Sequence, residues 1–240
     1  MMNAKLTANG RMPDFASAQR VNQALTASVE KRVLQWLAQR TPASVSSDHL
    51  TMLGFSAQVC AGLFYGLTRF DRRFLIAVIL CIALNWLGDS LDGTVARIRC
   101  QQRPRYGFYV DHMVDVFGSV ALMFGLGLSG IVHWQIAAAM LVAFLLLSAE
   151  SYLATYTLSR FQLSQGMFGP TEIRILLIVG NLALLRSPYS TVFGLRLLLF
   201  DLGGAIAVVC MFASAISLGI RHTVQLYREE PIPAANLKTR

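Results

Sequence analysis

The stretch that decides the reading runs Asp89-Ser90-Leu91-Asp92-Gly93-Thr94-Val95-Ala96-Arg97, then residues 98–106, then Gly107-Phe108-Tyr109-Val110-Asp111-His112-Met113-Val114-Asp115. It carries four carboxylates: Asp89, Asp92, Asp111 and Asp115. The first pair is spaced i,i+3 and the second i,i+4, so on helices each pair shares one face, a turn apart. Two such helices meeting face to face would converge four oxygen ligands on one point. Like charges packed that closely repel, and without compensation they would protonate. A bound divalent cation removes the conflict. Aspartate oxygens are hard ligands, and no histidine or cysteine joins them at helical spacing. That favours Mg²⁺ or Mn²⁺ over zinc, and four acids are enough for two ions. His112 falls on a different helix face from Asp111 and Asp115 and reads as a packing or surface residue.

The surrounding composition is that of a membrane protein. Of 240 residues 55% are hydrophobic and only 14% charged, and the mean hydropathy is +0.51. An ordinary soluble domain is less apolar than this. The net charge of +8 is therefore assigned to loops facing anionic lipid, with no nucleic acid as partner. Cys60, Cys81, Cys100 and Cys210 are scattered without a C-x-x-C pair, which argues against a zinc site and against a disulfide framework. The first 40 residues lack an apolar core of signal-peptide length.

The pattern predicts an all-α integral membrane protein with six transmembrane helices and an N-terminal amphipathic helix. Over Pro13 to Arg40, Val21, Leu25, Val29, Val33, Trp36 and Leu37 share a face, with Glu30, Lys31 and Arg32 elsewhere. Such a helix lies on the membrane surface or packs on its own protein. Spans are expected near Leu50–Leu67, Phe74–Leu87, Gly107–Val132, Trp134–Leu153, Gly169–Leu185 and Leu197–Ile220. The second apolar run is too short for a hydrocarbon core about 30 Å thick, so its helix must continue through Asp89 and Asp92. Both acidic pairs are then expected just inside one membrane face, where carboxylates are costly and mark a functional site. The expected division is a segment over 1–46, the membrane domain over 47–221 and a polar tail over 222–240. Sixteen of the 21 lysines and arginines fall on the side that holds the termini and the acids, and five on the other. Both termini and the four aspartates are thus expected at the cytoplasmic face of the cell membrane.

The fixed positions Asp89, Asp92, Gly93, Ala96, Arg97, Gly107, Asp111 and Asp115 resemble the signature of the CDP-alcohol phosphotransferases, D-x-x-D-G-x-x-A-R followed by G-x-x-x-D-x-x-x-D. The resemblance implies a CDP-linked lipid donor, an alcohol acceptor, release of CMP and a homodimer. It implies metal binding by Asp89, Asp92 and Asp111, with Asp115 as a further ligand or the catalytic base. Gly93, Ala96, Arg97 and Gly107 would line the nucleotide pocket. Arg97 could use its planar fork on the phosphates, while Arg99, Arg103 and Arg105 are expected in a loop with Pro104. Many family members resemble Pro-Asn-x-Leu-Thr before the first span. This chain has Ser47 and Asp48 there, and Asp48 reads as a helix N-cap.

Glu150, Glu172 and Arg174 are the candidate acceptor contacts. The run Gly169-Pro170-Thr171-Glu172 resembles the branch that uses CDP-choline or CDP-ethanolamine, whereas the chain length and span number resemble the CDP-diacylglycerol branch. Two other classes share parts of the pattern. A membrane prenyltransferase also binds Mg-diphosphate through aspartates, and a cation transporter could line a pathway with four acids.

Overall fold

The structure is a computed structural model that describes residues 19–21, 27–158, 160–162, 170–192 and 194–230. Among these residues it has seven helices: α1 (Ala27–Arg40), α2 (Ser47–Leu67), α3 (Phe74–Ile98), α4 (Pro104–Leu128), α5 (Trp134–Leu158), α6 (Pro170–Arg186) and α7 (Leu199–Glu229). Two small strand pairs accompany them. β1 (Gln19–Val21) runs parallel to β2 (Arg160–Gln162), and β3 (Tyr189–Val192) pairs antiparallel with β4 (Leu195–Leu198). The β3–β4 hairpin turns at Gly194, whose φ of 80° favours a residue without a side chain. The N-terminal part of the expected amphipathic segment, apart from 19–21, lies outside the described residues, as does Gly169.

Five helices, α2, α3, α4, α5 and α7, are long and apolar enough to cross a membrane. The sixth expected span corresponds to α6, which has 17 residues. At 1.5 Å per residue it covers about 25 Å, short of a full hydrocarbon core. The last span also departs from expectation: it starts at Leu199, because 195–198 are taken up by β4, and its helix continues to Glu229. As the short apolar run required, α3 extends unbroken through Asp89 and Asp92 to Ile98.

The main correction concerns how α3 and α4 meet. They do not pack face to face; α2 packs against both. Close approach explains it. A Cβ on Gly88 of α3 would lie 2.5 Å from the Gly54 nitrogen and 2.6 Å from the Leu50 oxygen of α2. Two turns further along α2, a Cβ on Gly125 of α4 would run into the backbone of Gly62. Small residues let backbones touch in this way, and dispersion over the contact replaces the hydrophobic drive that lipid removes. Tyr65, Leu75, Val78, Leu126 and Leu184 form the core below this crossing.

The ends of the helices are pinned by side chains. Ser46, not Asp48, caps α2: its hydroxyl accepts from the His49 N–H, and His49 Nδ1 accepts from the Ser46 N–H, both at 3.2 Å. Asp48 instead pairs with Arg103 at 2.5 Å, and this carboxylate holds the Arg103 pKa above its ordinary value. Arg99 is no free loop residue either. Its guanidinium donates to the carbonyls of Val45 at 2.6 Å and of Thr41 and Pro42 at 2.9 Å. The short α3–α4 connection is therefore anchored to the α1–α2 turn. α1 packs Leu34 and Ala38 against Leu50, Leu91 and Val95, and leaves Val29, Val33 and Trp36 exposed. It thus docks on its own protein along one edge while offering a second apolar edge outward.

Candidate functional site

Three helices wall a small recess: α2 with Thr51, Gly54, Phe55 and Gln58, α3 with Asn85 and Asp89, and α4 with Asp111, Val114 and Asp115. The helical spacings place the acids as expected within each helix, and the glycine crossings set how far apart the helices stand. Asp89, Asp111 and Asp115 each offer a carboxylate oxygen, and the three oxygens lie within 4.8 Å of one another. All three residues are half-buried.

The fourth acid is turned differently. Asp92 is buried, its Oδ2 accepts from Thr51 Oγ1 at 2.6 Å, and its Oδ1 accepts from the Gly93 N–H. Its backbone carbonyl accepts from Ser47 Oγ at 3.1 Å. Asp92 is thus seated on the first turn of α2 beside the cluster.

A cation does reach the acids, and it comes from α6. Arg174 Nη2 donates to Asp89 Oδ2 at 2.7 Å, and Arg174 Nε donates to Asn85 Oδ1 at 2.9 Å. Asn85 Nδ2 in turn donates to the Gly54 carbonyl at 3.0 Å. The pair is only 15% and 24% exposed, so solvent screens it weakly. Arg174, expected as an acceptor contact, therefore belongs to the acidic cluster itself. Glu172 sits half-buried in the first turn of α6, where the helix dipole favours a carboxylate. Glu150 is not among the residues lining the recess; its carboxylate pairs with His222 of α7 at 2.5 Å.

At the outer end of α3, Arg97 is exposed and donates to Thr94 Oγ1 at 2.9 Å. A Cβ on Gly93 would meet only Arg97 Nη1 at 3.4 Å, and one on Gly107 would meet nothing within 4 Å. His112 is a packing residue: its ring lies 4.1 Å from Phe108 and 4.8 Å from Tyr152, centre to centre.

Sequence reading missed Thr51, Gln58 and Asn85. Their signal was available, since each is a polar residue in an apolar span and Asn85 stands one helical turn before Asp89.

The donor set suits a hard divalent ion: three carboxylate oxygens converge, an amide oxygen lies beside them, and no thiolate or imidazole intrudes. The comparisons agree with this chemistry. Residues 45–220 match the CDP-alcohol phosphatidyltransferase family profile, which is more than half of the chain. The chain belongs to the CDP-alcohol phosphatidyltransferase family. It is similar to an archaetidylinositol phosphate synthase of Pyrococcus horikoshii, with 26% identity over 120 residues. That match covers 50% of this chain and 57% of the relative's length. Members of the family are generally dependent on divalent metals. Family membership and the long apolar helices point to a multi-pass membrane protein and favour the first of the three classes weighed on sequence.

Proposed function

We propose that this chain moves a phosphatidyl group from CDP-diacylglycerol to the hydroxyl of a small polar alcohol. The convergence of Asp89, Asp111 and Asp115 beside a family signature carries the reading. Asp89, Asp111 and Asp115, with Asp92 braced by Thr51 next to them, would hold two Mg²⁺ or Mn²⁺ ions. Bound there, such ions neutralise a diphosphate and stabilise the charge that develops on the leaving phosphate. Asp115 acts as general base and takes the proton of the attacking hydroxyl. The alcohol oxygen bonds to the phosphorus that carries the diacylglycerol, the bond from that phosphorus to CMP breaks, and CMP leaves with the electron pair.

Arg97 grips the donor phosphates from the outer end of α3, while Gly93, Ala96 and Gly107 let the nucleotide approach backbone; the open space at Gly107 supports this. Arg174 and Glu172 face the acceptor side. The chain would sit in the cell membrane as a homodimer, with both termini and the recess at the cytoplasmic face. In that setting α6 is a sixth, short span accommodated by local thinning of the bilayer, and the exposed Val29, Val33 and Trp36 of α1 rest on the lipid surface.

A donor panel tests the reading. Purified chain with Mn²⁺ should release CMP from CDP-diacylglycerol when offered polar alcohols, among them inositol and a phosphorylated inositol, the latter prompted by the relative's name. Release from CDP-choline with diacylglycerol instead would transfer the assignment to the branch suggested by Pro170-Thr171-Glu172. Thermal protection by a prenyl diphosphate but not by CDP would contradict both.

A further inference from the structure

Glu30 stands on the packed edge of α1, one and two turns before the buried Leu34 and Ala38. A charged residue at the head of an apolar stripe needs partners, and it has three. Glu30 Oε1 accepts from Trp86 Nε1 at 3.1 Å, from Ser90 Oγ at 3.2 Å and from Thr171 Oγ1 at 2.7 Å. Trp86 and Ser90 lie a turn apart on α3, on either side of Asp89 in sequence, whereas Thr171 opens α6. One carboxylate from a helix outside the bundle thus ties α3 to α6.

The tie bears on the site because Arg174 follows Thr171 by three residues, about one helical turn. From there it reaches Asp89 and Asn85. Apolar packing of α6 begins a turn after Arg174, where Leu177 and Ile178 meet the core. Its buried residues, Asn181 and Leu184, are in the far half, while Ile173, Ile175 and Leu176 around Arg174 are exposed. The polar contact of Thr171 with Glu30 and that of Arg174 with Asp89 thus tie the first turn of α6 to its neighbours ahead of its apolar packing.

We propose that Glu30 is a positioning residue of the acidic site: by holding Thr171 it sets the first turn of α6 and aims Arg174 at Asp89. The proposal rests on the reading of the acidic cluster as the reacting centre, and its test has one arm that does not. In that arm spin labels at Leu80 of α3 and Ile173 of α6, both exposed, are placed in full-length chain from which the four native cysteines have been removed. Glu30→Ala and Thr171→Val should each broaden the distance distribution between the labels, and Glu30→Gln, which keeps an acceptor oxygen, should not. An unchanged distribution in Glu30→Ala overturns the proposal whatever the enzyme's donor proves to be.

The second arm measures CMP release. Glu30→Ala should lower kcat about tenfold with the donor KM nearly unchanged, and Glu30→Gln should restore most of it. In an Arg174→Ala background, Glu30→Ala should add less than about a twofold loss, because the aim of Arg174 no longer matters. A full tenfold loss in both backgrounds means that Glu30 acts independently of Arg174 and overturns the proposal. Absence of CMP release by the wild type from every donor sinks the functional reading, while the labelled pair still decides the role of Glu30.

Discussion

Asp92 shows how a fixed position in a sequence pattern is held in place by a neighbouring helix. Its carboxylate is braced by Thr51 and by the Gly93 N–H, while Asp89, Asp111 and Asp115 face one another across the recess. Groups that orient ligands typically affect metal affinity by about 10–100-fold. Thr51→Val should therefore raise the Mn²⁺ concentration needed for half-maximal CMP release by about that factor, with kcat at saturating metal largely kept. A metal titration reads it, and an unshifted curve would remove Thr51 from the site. Arg97 and Arg103 separate in the same way. Arg103 pairs with Asp48 at the start of α2, whereas Arg97 stands at the acidic end of α3, one turn beyond Gly93, and donates to Thr94. Lysine lacks the bidentate fork, so Arg97→Lys should weaken donor use by about tenfold, roughly 1.4 kcal/mol, and Arg103→Lys should change it little. Equal small effects in kcat/KM would make Arg97 a headgroup anchor. The acids themselves were legible in the sequence because i,i+3 and i,i+4 spacing is local. Asn85 is equally local, one turn before Asp89, but the link of Arg174 and of Glu30 to that position was not legible, because no spacing along the chain ties residue 174 or 30 to residue 89; only the packing of α6 and α1 on α3 does so.

At the scale of elements, the helices were legible from apolar length, and their partners were not. Gly54, Gly88, Gly62 and Gly125 read only as parts of apolar runs, yet they put α2 between α3 and α4. Helix α1 presents two apolar edges. Val29, Val33 and Trp36 form the stronger apolar stripe by sequence, but the packed edge is Leu34 and Ala38 with Glu30 at its head. Two glycine substitutions distinguish packing from ligand access. Gly88→Ala would push a methyl into the backbone of α2 and should cost about 1–3 kcal/mol of stability, seen as a lower melting temperature in detergent. Gly107→Ala meets no neighbour, so the melting temperature should hold while donor KM rises if nucleotide passes close to that backbone. A melt unchanged by Gly88→Ala would contradict the tight α2–α3 crossing.

For the whole molecule, the class was legible in the apolar helices and the family signature, whereas the span count turns on α6, which is short. The proposed orientation places the exposed Cys100 on the cytoplasmic side. The opposite side includes Arg72, exposed in the α2–α3 connection and one of the few basic residues that oppose the overall charge bias. Impermeant thiol reagents applied outside intact cells should label an Arg72→Cys variant and spare Cys100; the reverse pattern would place the recess on the wrong side for a cytosolic nucleotide. Ser129, at the far end of α4, is too buried to serve as the outside probe. The central claim is that the acids of α3 and α4 form a divalent-metal centre for phosphoryl transfer. CMP release measured with and without excess chelator, for wild type and Asp111→Asn at matched melting temperature, tests it most directly. The account predicts release that requires Mg²⁺ or Mn²⁺ and falls about a hundredfold or more in Asp111→Asn. Undiminished turnover in chelator, or in Asp111→Asn, would contradict it.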